Sequence, residues 1–158
     1  MVITRARADI EVRGADGNIA LLVEIKGMKD QDDEWLAEYR RNLAEIILVA
    51  PTAYFMIVMA DYMYLWKRGN SPDLDPPDYR APTAPLLSDY AYATDAESLQ
   101  SYTDSLIAGI VCFWLNTLVL PNMLRKEKLP ELEWVFESGL YDRIRFGSVH
   151  RIEDPRWR

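Results

Sequence analysis

The chain holds one cysteine, Cys112, and one histidine, His150, among 158 residues. A lone cysteine excludes an internal disulfide framework, and the two counts together exclude a zinc site built from Cys and His. Any metal would therefore be held by oxygen ligands. Long hydrophobic runs are also scarce. The most apolar stretch, LIAGIVCFWLNTLVL at 106–120, is interrupted by Asn116 and Thr117 and falls short of a membrane span of about 20 residues. The first residues, MVITRARADIEVRGA, lack the apolar segment of a signal peptide. These absences imply a soluble, cytoplasmic protein with no membrane partner. An excess of base is missing too: 18 Lys and Arg stand against 25 Asp and Glu, a net charge of -7. The imbalance is local, because residues 69–104 carry seven acids and one base while 141–158 carry five arginines and three acids. Acidity of that kind weakens the case for a nucleic-acid partner without excluding one.

What is present is core material. Apolar residues make up 49% of the chain, with five Trp and nine Tyr, enough for one domain spanning 1–158. Two strand-like runs, ADIEV and IALLVEIK, flank GADGN, where Asp16-Gly17 predicts a two-residue type I′ turn. With Ala15 opposite Asn18, paired positions sum to 33, so Asp9 lies opposite Glu24 and Arg7 opposite Lys26. Alternation then gives one apolar face (Ile10, Val12, Leu21, Val23, Ile25) and one face gathering Asp9, Glu11, Glu24 and Lys26. Downstream, 29–49 predicts a helix with Trp35, Leu36, Tyr39, Leu43, Ile46 and Ile47 on its apolar side, ended by Pro51. AYFMIVMA and YMYLWK predict two more strands, the first buried on both faces. Five of nine prolines fall between Pro72 and Pro85, so 69–96 reads as a long acidic loop with one helical turn at PLLSDYA. A single helix over 97–120, a short helix at PELEWVFES with Gly139 as its C-cap, and a late strand in DRIRFGSVHRI complete the chain.

The opposed carboxylates carry the chemistry. Asp9 and Glu24 offer a site for a hard divalent cation, Mg²⁺ or Mn²⁺, to which the Ile25 carbonyl adds a third oxygen. Lys26, one strand step beyond, would orient the attacking water and offset charge on a phosphate. A plainer alternative is a solvated strand face with a surface ion pair worth under about 1 kcal/mol. Arg5, Arg7 and Arg40 are candidates for phosphate contact. Trp35 and Tyr39, four apart, suit core packing. His150 has no evident partner.

An Asp on one strand, then Glu-x-Lys on the next, then a helix, resembles the PD-(D/E)XK nuclease superfamily, which includes restriction endonucleases, the nuclease domains of type I restriction subunits and RecB-type exonucleases. The likeness runs from about Arg5 to Lys67, through ARADIEV, LLVEIKG and the strand pair ending MYLWK. It implies a three-layer α/β/α restriction endonuclease-like mixed sheet, with 1–68 as nuclease core, 69–96 as a Pro-rich loop and 97–158 as a C-terminal helical extension. It also implies Asp9 and Glu24 as metal ligands and Lys26 as the catalytic lysine. Where some relatives carry Gln-x-x-x-Tyr on the following helix, WLAEY has Trp35 and Tyr39, which makes Tyr39 a substrate-binding candidate. The helix that usually precedes the Asp strand would be either trimmed or replaced by another segment or subunit. The expectation is a Mg-dependent endonuclease acting on DNA as a homodimer; an inactive nuclease-fold assembly module and an RNA-directed nuclease are the alternatives.

Overall fold

The computed structural model describes residues 8–46, 53–68, 76–91, 95–124 and 126–152. In order these contain β1 (Ile10–Arg13), β2 (Ile19–Lys26), α1 (Asp33–Ile46), β3 (Tyr54–Met59), β4 (Tyr62–Trp66), β5 (Tyr79–Pro82), α2 (Thr83–Leu87), α3 (Ala96–Gln100), α4 (Asp104–Val119), α5 (Glu133–Glu137), α6 (Leu140–Ile144) and β6 (Ser148–Arg151). The fold is mixed α/β. Its six strands form one sheet in the order β5-β4-β3-β2-β1-β6. β2 and β3 run parallel, which requires a crossover, and α1 supplies it; every other neighbouring pair is antiparallel.

The β1–β2 register is the expected one at the site, reached by a different route. Gly17 N–H donates to Gly14 O (3.0 Å) and Gly14 N–H to Asn18 O (2.9 Å), so the loop has three residues, not two. Asp16 Oδ1 accepts from Asn18 N–H (2.9 Å), and Gly17 takes φ 82°, the left-handed conformation that closes a three-residue hairpin. Such a loop alone sets pairs summing to 32. Ala20 is an extra residue on β2, however: Arg13 pairs with Ile19, but Val12 pairs with Leu21. From there Glu11 meets Leu22 and Ile10 meets Val23, restoring the sum of 33. The bulge matters because a slip of one residue exchanges the two faces of a strand.

Two apolar clusters lie on the two faces of the sheet. Ile10, Val12, Leu21, Val23, Ile25, Met56, Val58 and Leu65 pack with α4 through Ile107, Val111, Trp114, Leu115 and Leu118, joined by Leu140 and Ile144 of α6. On the opposite face Leu22, Phe55, Ile57, Met59, Tyr64 and Trp66 pack with Leu36 and Leu43 of α1. β3, buried along nearly its whole length, feeds both clusters.

Several elements depart from the sequence expectation. The stretch assigned to a long loop contains β5, whose residues YRAP carry too little alternation to announce a strand. Pro82 is tolerated because β5 is an edge strand and the proline is its last residue. The helix expected over 97–120 is two helices. It breaks at Ser101–Thr103, where the Thr103 hydroxyl accepts from Leu106 N–H (3.1 Å) and starts α4 afresh. DRIRFGSVHRI is helix and then strand, because its first residues finish α6 and Phe146 N–H donates to Val119 O (2.7 Å) before β6 begins. The segment beyond 97 is no appendage: α4 completes one core, and β6 pairs with β1. Gly139, expected as a cap, is left-handed (φ 83°) between α5 and α6. No helix among the described residues is long and apolar enough to cross a membrane.

Candidate active site

Asp9 stands one residue before β1, opposite Glu24 of β2, and each carboxylate reaches across the hairpin to a backbone N–H on the other side. Asp9 N–H donates to Glu24 Oε1 (3.2 Å), and Ile25 N–H donates to Asp9 Oδ2 (2.8 Å). Side chains have replaced ladder bonds here, which draws the two acids together. Lys26, two residues along β2, is half-buried and close enough for its charge to act on Glu24. Ile25 itself is buried, its side chain in the apolar core on the other face. The expected grouping of Asp9, Glu24 and Lys26 around the end of one hairpin is therefore present.

Electrostatics set Glu24 apart. Burial first, and then the charge of Asp9, push its carboxyl up to about 8 from an ordinary 4.5. The Asp9 N–H bond and Lys26 pull the other way and only partly offset this. A carboxyl held that high is protonated at neutral pH until a cation or an anion-binding group takes the proton's place.

Tyr39 on α1 belongs to the same neighbourhood. Its phenol is pushed well above the usual range by burial and then by the charges of Glu24, Asp9 and Asp104. Its ring stacks on Trp35 (centroids 5.0 Å apart, planes at 14°). Asp32 caps this helix: its carboxylate accepts from Trp35 N–H (2.8 Å). Arg40, one residue on, sits elsewhere. It is buried with its guanidinium 4.5 Å from the Phe55 ring centroid and 5.5 Å from that of Trp66, and burial lowers its pKa. Arg5 and Arg7 lie outside the described residues. Glu11, on the site's face of β1, is buried and bridged by Arg13 (2.7 Å).

Two features were not foreseen. Asp104, in the first turn of α4, accepts from Gly27 N–H (3.0 Å), immediately after Lys26. Seventy-seven residues separate the partners, so only the fold announces the contact. His150 does have a partner: its Nε2 lies 2.8 Å from Ser148 Oγ, and β6 sets it opposite Glu11 of β1. The place of His150 opposite Glu11 does not follow from local pattern, because β1 and β6 are far apart in sequence. A cavity of about 410 Å³ opens between α1 and β4–β5, beside Leu36, Trp66 and Arg80, and none of the candidate residues lines it. Among the described residues no group of three or more His, Cys, Asp or Glu side chains is arranged to hold a metal.

Comparison of the chain with protein-family models, with curated proteins and with solved structures finds no match.

Proposed function

We propose that the chain is a metal-dependent nuclease of the PD-(D/E)XK type, with a three-layer α/β/α restriction endonuclease-like core, hydrolysing phosphodiester bonds in DNA. The observation that carries this reading is the Asp9–Glu24 pair, two acids drawn together across a hairpin with one forced up to about 8. Packing of α1 and α4 against opposite faces of the sheet supports the layered reading. The donor set suits a hard divalent ion: two carboxylates and the Ile25 carbonyl are all oxygen, and magnesium ordinarily takes one or two protein carboxylates with waters and phosphate. When bound, the ion supplies Lewis-acid stabilisation of phosphoryl charge. Lys26 would hold the attacking water against phosphorus and offset charge on the phosphate. Tyr39, kept protonated by its surroundings, would donate a hydrogen bond to the substrate backbone. Arg5 and Arg7 would add phosphate contacts. The acting form is proposed to be a homodimer joined through the outward side of α4.

A second reading is a nuclease-fold module without activity, serving in binding or assembly. The two-carboxylate donor set, with no third acid, Cys or His arranged beside it among the described residues, favours that alternative, as does the net charge of -7. Titration with manganese, followed by digestion of plasmid, single-stranded DNA and RNA, separates the two. The enzyme reading expects manganese binding that Asp9→Ala and Glu24→Ala abolish, and cleavage that a chelator stops. Lys26→Ala should bind the ion normally while cutting at least a hundredfold more slowly, a loss on the scale of removing one preorganised charge. A wild type that neither binds manganese nor cuts any of the three substrates sinks the enzyme reading.

A further inference from the structure

We propose that Asp104 is a positioning residue of this site: by holding the Gly27 amide it fixes the end of β2 and so sets Lys26 for its task. The clamp is a structural claim in its own right, and only its catalytic consequence rests on the nuclease reading.

The argument begins where β2 ends. After Lys26 the backbone turns sharply, with Met28 N–H donating back to Lys26 O (2.7 Å). Gly27 N–H leaves the sheet ladder, and Asp104 Oδ1 takes it at 3.0 Å. The acceptor stands on a rigid support. Asp104 opens a sixteen-residue helix capped by Thr103, and an acid in a first turn is stabilised by the helix dipole. Side-chain size is part of the contact. A Cβ at position 27 would lie 2.8 Å from Asp104 Oδ1 and 3.2 Å from Ile107 Cδ1, so a larger residue would push the Asp104 carboxylate off the amide it holds.

The rest of the loop is tied down in the same manner. Lys29 Nζ lies 3.4 Å from Glu97 Oε1 of α3, and Asp30 N–H donates to Asp61 Oδ2 (2.9 Å). Met28 O accepts from Ala60 N–H (2.9 Å). Two of these acids, Glu97 and Asp104, belong to the acidic stretch that weighs against a nucleic-acid partner. Both are exposed, and each makes a contact to the loop behind Glu-x-Lys. Lysine has a long, flexible stem and a point charge, so the direction of its backbone decides where the ammonium group falls. Asp104 also reaches the site electrostatically, since its charge bears on both Glu24 and Tyr39.

Three variants test the proposal: Asp104→Ala, Asp104→Asn and Gly27→Ala. The first readout is hydrogen exchange at the Gly27 amide, followed by nuclear magnetic resonance. Protection should fall at least tenfold in Asp104→Ala and be largely kept in Asp104→Asn, whose side-chain oxygen still accepts. The second readout is cleavage with manganese affinity measured alongside. Asp104→Ala and Gly27→Ala should lower kcat by about tenfold to a hundredfold, the scale of a small misplacement, with manganese affinity within about threefold of wild type. Asp104→Asn should recover most of that loss. Unchanged Gly27 exchange in Asp104→Ala overturns the clamp. A loss of rate in Asp104→Asn as deep as in alanine, or lost manganese affinity in both, overturns the positioning role and makes the charge itself the agent. Protection lost in Asp104→Ala, together with a wild type that cuts nothing, leaves the clamp standing and overturns only its link to hydrolysis.

Discussion

Glu24 is the residue on which the site turns, and its titration yields a thermodynamic signature that does not depend on activity. In the unfolded chain its carboxyl titrates near 4.5; in the fold, burial and then Asp9 raise it to about 8. A raised acid favours the folded state while protonated. That contribution is fully present below pH 4.5 and is lost as pH rises through 8. Each unit of difference corresponds to about 1.4 kcal/mol, so the chelator-treated protein should lose on the order of a few kcal/mol of stability between pH 5 and 8. Calorimetric melting across that range should show a falling Tm in wild type and a much flatter profile in Glu24→Gln, which stays neutral at every pH. Manganese should flatten the wild-type profile from the alkaline side, since the ion replaces the proton. Equal slopes in wild type and Glu24→Gln would show that Glu24 does not titrate in this way.

At the scale of elements, much of the site is local and was therefore legible. Asp9 and Glu24 share a face because side chains alternate and the hairpin pairs them, and both facts can be read within twenty residues. The turn was not legible: Asp-Gly invites a two-residue loop, but Ala15, Asp16 and Gly17 form a three-residue one, and the bulge at Ala20 returns the strands to the same register. Packing decides this. With the bulge, Ala20 and Leu21 both enter the α4-side core and Ile19 joins the α1-side core. Gly17 is the residue the three-residue loop demands. A Cβ there meets nothing within 4 Å, so Gly17→Ala isolates the backbone strain of φ 82°, about 1–2 kcal/mol. Thermal unfolding should show a Tm lower by a few degrees, while Gly17→Asn should lose much less. Manganese affinity should not change in either, because the bulge and four paired positions separate the turn from Asp9. An undiminished Tm in Gly17→Ala would mean that the loop adopts another turn.

For the molecule as a whole, the sequence is least informative where distant segments meet. Nothing in SVHR announces that it pairs with IEVR, so β6, and with it His150 opposite Glu11, emerges only from the assembled sheet. The same holds for α4, whose apolar composition speaks of burial without saying against what. In the fold one side of α4 fills the core, while Leu106, Phe113 and Leu120, seven residues apart, remain 50%, 66% and 48% exposed. Seven-residue spacing sets Leu106 and Phe113 along one line of α4, Leu120 follows the helix end in extended conformation, and Met123 and Phe146 are also exposed, at 52% and 67%. Exposed apolar side chains gathered on one element suit an interaction site. A helix presenting one apolar line is self-complementary in the way a two-fold pair requires, since each copy offers the same surface. Under the proposed nuclease reading, two sites related by that axis would also suit paired cuts in duplex DNA. Light scattering at tens of micromolar should therefore give twice the chain mass, and Phe113→Glu, placing a charge at the centre of the line, should give a monomer of unchanged helicity. Phe113 is exposed, so its replacement has little to disturb within one chain, and any loss of Tm in Phe113→Glu should depend on protein concentration. A wild-type monomer across that range would assign the stripe to some other partner and leave the site to act within a single chain.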